Sequence, residues 1–140
     1  MTTATTTGQR GPVRAAYTSK HAEGRIRCDL GLMGITRADV AMTRCDDLLN
    51  VYAARVRVSL GPTYGHPTIN AVYLYWRDRR GEEHFRTIVH PRDVGNENID
   101  VISVQTDGME IVVSYMEHCG PGALKNNALE RRIRIAELDL

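Results

Sequence analysis

Three short motifs in this 140-residue chain combine residue type and spacing in a way that could do chemistry: Arg25-Ile26-Arg27, Arg55-Val56-Arg57 and Arg132-Ile133-Arg134. In an extended strand, residues i and i+2 point the same way. Each motif would then set two guanidiniums on one face, around an aliphatic residue directed into a core. A guanidinium is a planar fork of donors that matches carboxylate, phosphate and sulfate. If the three strands are neighbours, Arg25, Arg27, Arg55, Arg57, Arg132 and Arg134 form one patch that repels itself and needs anions. The sources open to it are an acidic stretch of the same chain, that stretch in a second subunit, or an external polyanion such as nucleic acid.

The charge distribution supplies such a stretch. Residues 93–117 carry six carboxylates (Asp93, Glu97, Asp100, Asp107, Glu110 and Glu117) and no Lys or Arg. Residues 1–57 carry nine basic and five acidic side chains, so a formal net charge of +1 conceals a basic region and an acidic one. That asymmetry can neutralise itself within a chain or drive head-to-tail subunit contacts. Sixteen of the eighteen basic residues are Arg. A GC-rich genome produces that bias as readily as anion recognition does, so composition does not choose between them.

A second candidate is aromatic. The run Asn70 to Arg77, a turn at Asp78-Arg79-Arg80-Gly81 and the run Glu82 to His90 read as a hairpin. Gly81 suits the left-handed position of its turn. The register pairs Arg77 with Glu83, Trp76 with His84, Tyr75 with Phe85 and Val72 with Ile88, joining opposite charges and aromatic rings. Both faces are apolar: Val72, Leu74, Trp76 and Ile88 on one, Ala71, Tyr73, Tyr75, Phe85 and Val89 on the other. Something must cover the second face, and a helix is the expected cover. Tyr73, Tyr75 and Phe85 also form a possible stacking face for bases or sugars.

Other chemistry finds little footing. The three cysteines, Cys28, Cys45 and Cys119, are widely spaced with no Cys-x-x-Cys pair, which reads as buried reduced thiols rather than a zinc site. His84 and His90 are six residues apart, and Glu117, His118 and Cys119 alternate sides along a strand, so no metal is expected. No Gly-x-Ser-x-Gly, phosphate-binding loop, dinucleotide fingerprint or His-Glu-x-x-His occurs. No cofactor is expected, and an enzyme is not the favoured reading.

The elements that position these residues read as mainly β. Residues 24–30 alternate, with Ile26, Cys28 and Leu30 opposite Arg25, Arg27 and Asp29, which predicts a strand. Thr36 to Asn50 carries apolar residues at Ala38, Ala41, Met42, Cys45, Leu48 and Leu49, which predicts a helix near 37–49. A strand follows from Val51, with Ala54, Val56, Val58 and Leu60 on one face, then a Gly/Pro-rich loop at 61–67. Asp107-Gly108 predicts a second hairpin between 99–106 and 109–118, with Ile102, Val104, Ile111, Val113 and Tyr115 on one face. Residues 130–138 predict a last strand, with Ile133 and Ile135 facing in. The fold class is a β-sandwich or curved antiparallel sheet of about seven strands with one packed α-helix and an extended N-terminal arm. The arm, at 1–19, is Thr-rich and polar, unable to form a core itself, and is expected to pack outside the single β-rich domain at 20–140.

No run is apolar enough for a membrane span, and the N-terminus has no apolar signal region, which points to a cytoplasmic or virion location. The leading expectation is a non-catalytic structural or assembly protein. It would be a subunit of a larger complex such as a virus or phage particle, and a homo-oligomer or part of a larger protein assembly. The alternatives are a binding module for an anionic or carbohydrate ligand and a small β-barrel or sheet-plus-helix enzyme of cyclase, isomerase or thioesterase type.

Overall fold

The computed structural model describes residues 19–59, 68–90, 98–119 and 125–140. The expected arm lies outside them, apart from Ser19. The described residues form seven strands in two antiparallel sheets and one α-helix, the mainly β class that the alternating segments indicate. Helix α1 (Ser19–Leu32) comes first. Strands β1 (Asp39–Arg44), β2 (Val51–Ser59), β3 (Thr68–Arg77) and β4 (Glu83–Val89) make one sheet in that order. Strands β5 (Asn98–Asp107), β6 (Glu110–Cys119) and β7 (Lys125–Arg134) make the other, and a 3-10 turn (Ile135–Leu138) follows. Among the described residues, no helix is long and apolar enough to cross a membrane.

Both predicted hairpins form. Gly81 and Gly108 adopt φ of 88° and 60°, conformations that glycine enters without steric cost. In the β3–β4 hairpin Arg77 pairs with Glu83, Trp76 with His84 and Tyr75 with Phe85. The expected Val72–Ile88 pair is displaced: Val72 faces Val89, because a bulge between Val72 and Tyr73 leaves Ile88 as the extra residue. Ile88 and Val89 therefore both enter the inter-sheet core. A second irregularity, between Val101 and Ser103, turns Ile102 out to solvent instead of placing it with Val104.

Three element assignments are corrected. Residues 24–30 lie in helix α1, not in a strand. Ala22, Ile26 and Leu30 are its buried face, at a four-residue spacing that also satisfies a period of two. The segment 37–49 holds strand β1 and a turn, not a helix. Residues Asp39–Arg44 pair along β2, and Asn50 closes the connection at φ 67°. The last strand runs over Lys125–Arg134 and stops before Ile135, where the 3-10 turn begins.

The core has two layers. Between the sheets, Val51, Ala53, Val72, Leu74, Trp76, Ile99, Val104, Ile111, Val113, Ile133 and Leu138 pack together. On the far side of the first sheet, Ile26 and Leu30 of α1 cover Ala54, Val56 and Tyr75. The second apolar face of the hairpin is thus covered by the chain's one described α-helix, supplied from residues 19–32. Cys45 is buried and free; Cys28 is free but exposed on α1, against the expectation of a buried thiol.

Candidate functional site

The three arginine motifs do not form one patch. Arg25 and Arg27 are on α1, where a rotation of about 100° per residue turns residues two apart to nearly opposite sides, not onto the one face a strand would give. Arg25 donates to Asp29 (3.3 Å) and reaches Glu83 of β4 (3.5 Å), and Asp29 holds its guanidinium more firmly charged. Arg27 donates to Glu23 (2.9 Å) and to the Ala38 carbonyl (3.1 Å). These contacts fasten the helix to itself and to the first sheet.

Arg55 and Arg57 lie on β2 on the side opposite Ala54 and Val56, facing the second sheet. Arg55, whose side chain is only 11% exposed, donates to Asp39 of β1 (2.8 Å) and lies 3.9 Å from Asp100 of β5. Arg57 lies 3.6 Å from Asp39 and 3.7 Å from Asp100, and donates to Asn70 Oδ1 (3.3 Å) and the Ile99 carbonyl (3.5 Å). His118 completes the cluster, with Nε2 3.1 Å from Asp100 and Nδ1 2.8 Å from Asn126 of β7. Two arginines and two aspartates thus cross between the sheets, and the carboxylate desolvation is limited because both acids stay about half exposed.

Arg132 of β7 is the hub of a third cluster. It reaches Asp107 (3.0 Å), Glu110 (3.2 Å) and Glu130 (3.0 Å), and these carboxylates raise its already high pKa further. Arg134 lies 4.0 Å from Glu137. Asp100, Asp107 and Glu110 of the acidic stretch are therefore engaged by arginines of the same chain.

The aromatic residues do come together. Tyr75 and Phe85 stack with centroids 5.4 Å apart, and Tyr73 meets both edge-on at 6.5 and 6.0 Å. Burial raises the Tyr73 hydroxyl pKa. Tyr75 is under α1, so the ring presented to solvent is Phe85, 51% exposed at the sheet edge. On the other face, Trp76 stacks on His84 (5.4 Å), carries the Arg86 guanidinium over its ring (5.9 Å) and donates to the Leu138 carbonyl (3.0 Å).

Sequence reading passed over Asp78. Its Oδ1 accepts the backbone N–H groups of Arg80 and Glu82, and its Oδ2 lies 2.8 Å from His84 Nε2. The His84 hydrogen bond is the main cause of a carboxyl held below its usual range. Donor atoms of Asp78, Glu82 and His84 lie within 4.8 Å of one another, but both Asp78 oxygens already serve the turn. The Asp-x-x-Gly pattern was the available signal, since Asp favours such turns.

The sheet edges differ most sharply. On β5, Asp46 N–H donates to the Val104 carbonyl (3.0 Å), Cys45 bridges Val104, and the Asp47 carboxylate accepts both the N–H (3.0 Å) and hydroxyl (2.8 Å) of Thr106. Those bonds, the backbone one first, lower the Asp47 pKa. Among the described residues, strand β7 has no such cover. It is terminal in its sheet, and Ala128, Leu129, Glu130, Arg131, Arg132 and Arg134 are exposed along it. Strand β4 is likewise terminal in the first sheet. No protein-family model matches the chain, and no curated protein or solved structure matches it either.

Proposed function

We propose that this chain is a non-catalytic structural subunit that assembles with other protein chains through its terminal sheet strands, within a larger complex such as a virus or phage particle. The observation that carries this reading is the contrast between spent and unspent groups. The arginine motifs suited to an external polyanion are engaged by carboxylates of the same chain, whereas β7 ends its sheet with Leu129 and Arg131 exposed, and no strand among the described residues pairs with its outer edge. An unpaired strand edge is a template for another strand.

Sedimentation of the full chain across a wide concentration range, with and without a single-stranded oligonucleotide, tests this. Association of the protein alone, with no oligonucleotide co-sedimenting at physiological salt, is the expected result. A persistent monomer overturns the reading. Oligonucleotide binding with a steep salt dependence favours the anion-binding alternative instead.

A further inference from the structure

We propose that Arg55, Arg57 and His118 form a binding site for a phosphate group, and that the Asp100 carboxylate is the internal anion which a phosphate displaces from it. This goes beyond the assembly reading and does not rest on it.

Both sheets build the site. Arg55 and Arg57 come from β2 and His118 from β6, and all three converge on the carboxylate of Asp100 in β5. A carboxylate only accepts hydrogen bonds, so His118 meets it with Nε2–H. The Asn126 side-chain amide lies 2.8 Å from His118 Nδ1 and fixes the ring. The fully buried Asn70 fixes Arg57 in the same way, through its amide oxygen at 3.3 Å, and the Ile99 carbonyl adds a contact at 3.5 Å. Arg55 is held through Nη1 by Asp39 at 2.8 Å. The donors are therefore oriented before any ligand arrives, which lowers the ordering cost of binding.

Asp100 fills this site poorly. Charge-assisted N–H···O contacts are short, about 2.7–2.9 Å. Asp100 Oδ1 lies 3.9 Å from Arg55 Nε and 3.7 Å from Arg57 Nη2, and Oδ2 lies 3.1 Å from His118 Nε2. Arg57 is the clearest case. Its side chain is only 28% exposed, yet its nearest acceptor among the described residues is Asn70 at 3.3 Å, and its nearest carboxylate is Asp39 at 3.6 Å. A guanidinium taken largely out of water with no short anionic partner is a poorly compensated charge. The Arg132 cluster is different: its three carboxylates all lie within 3.0–3.2 Å.

A phosphate group suits the gap better. A carboxylate is planar, with two oxygens, and Asp100 is tethered to its own strand. Phosphate is tetrahedral and free to settle, so separate oxygens can face Arg55 Nε, Arg57 Nη2 and His118 Nε2 at once. The planar guanidinium fork matches such an oxyanion. Asp100 is half exposed on the terminal strand of its sheet, so its side chain can turn to solvent without opening the core. Asp39 stays on Arg55, which leaves both guanidiniums facing a single carboxylate and the vacated site positive.

The test is calorimetric titration of the full chain with inorganic phosphate, at an ionic strength held constant with chloride. Asp100→Asn removes the competing charge and keeps the side chain's shape. It should bind phosphate at least about tenfold more tightly than the unchanged chain, the scale of one close charge pair. Asp100→Ala should show the same gain, and Arg57→Gln added to either variant should abolish it. Titration with glycerol phosphate separates two sources of the group, and both support the site: equal binding assigns it to a phosphoryl group on a larger molecule, and binding of inorganic phosphate alone assigns it to the free anion. Asp100 variants that bind phosphate no more tightly than the unchanged chain, or a gain that survives Arg57→Gln, overturn the proposal. Neither result alters the sedimentation that tests the assembly reading.

Discussion

Strands β5 and β7 are the two edges of one three-stranded sheet, and the chain treats them in opposite ways. The β5 edge is sealed by local sequence: Asp46 and Asp47 satisfy backbone groups of Val104 and Thr106, and Arg57 caps the Ile99 carbonyl. The β7 edge meets solvent with arginines along it. An edge sealed by its own chain belongs to the fold, and removing the seal should cost stability. An edge guarded only by charge is selective about what pairs with it, and altering the charge should change association while the monomer stays intact.

The largest separation is expected from apolar truncations on the two edges. Ile99→Ala, on the sealed side and fully buried, should cost about 2–5 kcal/mol in urea unfolding. Leu129→Ala, on the open side, should change monomer stability by no more than about 0.5 kcal/mol, yet weaken association. A smaller contrast comes from arginines. Arg55→Ala strips the inter-sheet cluster and should cost about 1.5–3 kcal/mol, the range for hydrogen bonds to charged groups. Arg131→Ala should leave unfolding unchanged.

Asp47→Ala sharpens the comparison further by opening the sealed edge. Faster hydrogen exchange at the Thr106 amide and slow aggregation are expected, with little change in the unfolding midpoint. The smallest effect is on acid stability. The Asp47 and Asp78 carboxyls both titrate below their unfolded values, so their stabilisation is complete above the unfolded value, about 4, and declines as pH falls through the folded values. Asp78→Asn should flatten that acid limb, measured as unfolding midpoint against pH.

The hairpins were legible because turn chemistry and period-two alternation agree there: Gly81 and Gly108 mark the turns, and the Trp76–His84 and Tyr75–Phe85 pairs follow by counting. The exchange of helix and strand at the N-terminal end has a physical cause. Ala22, Ile26 and Leu30 recur every four residues, a multiple of both two and nearly one helical turn, and Gly24 and Gly31 weaken the helical signal. In 37–49, Met42, Cys45 and Leu48–Leu49 mimic a helical stripe. Met42 packs under α1 and Cys45 packs between the sheets, so two different layers overlap in one stretch of sequence. Bulges at Ile88 and Ile102 were invisible because they depend on the partner strand. The open edge was equally hidden, since which strand ends a sheet is a property of topology rather than of the strand's residues.

The account turns on whether the β7 edge is vacant in the monomer and occupied in the assembly. Residue-level hydrogen exchange of the full chain, measured at low and high protein concentration, tests that directly. The β5 amides near Val104 and Thr106 should be protected at both concentrations. The outward amides of β7 should exchange fast when dilute and become protected when concentrated. Protection of β7 that is the same at both concentrations would contradict the account.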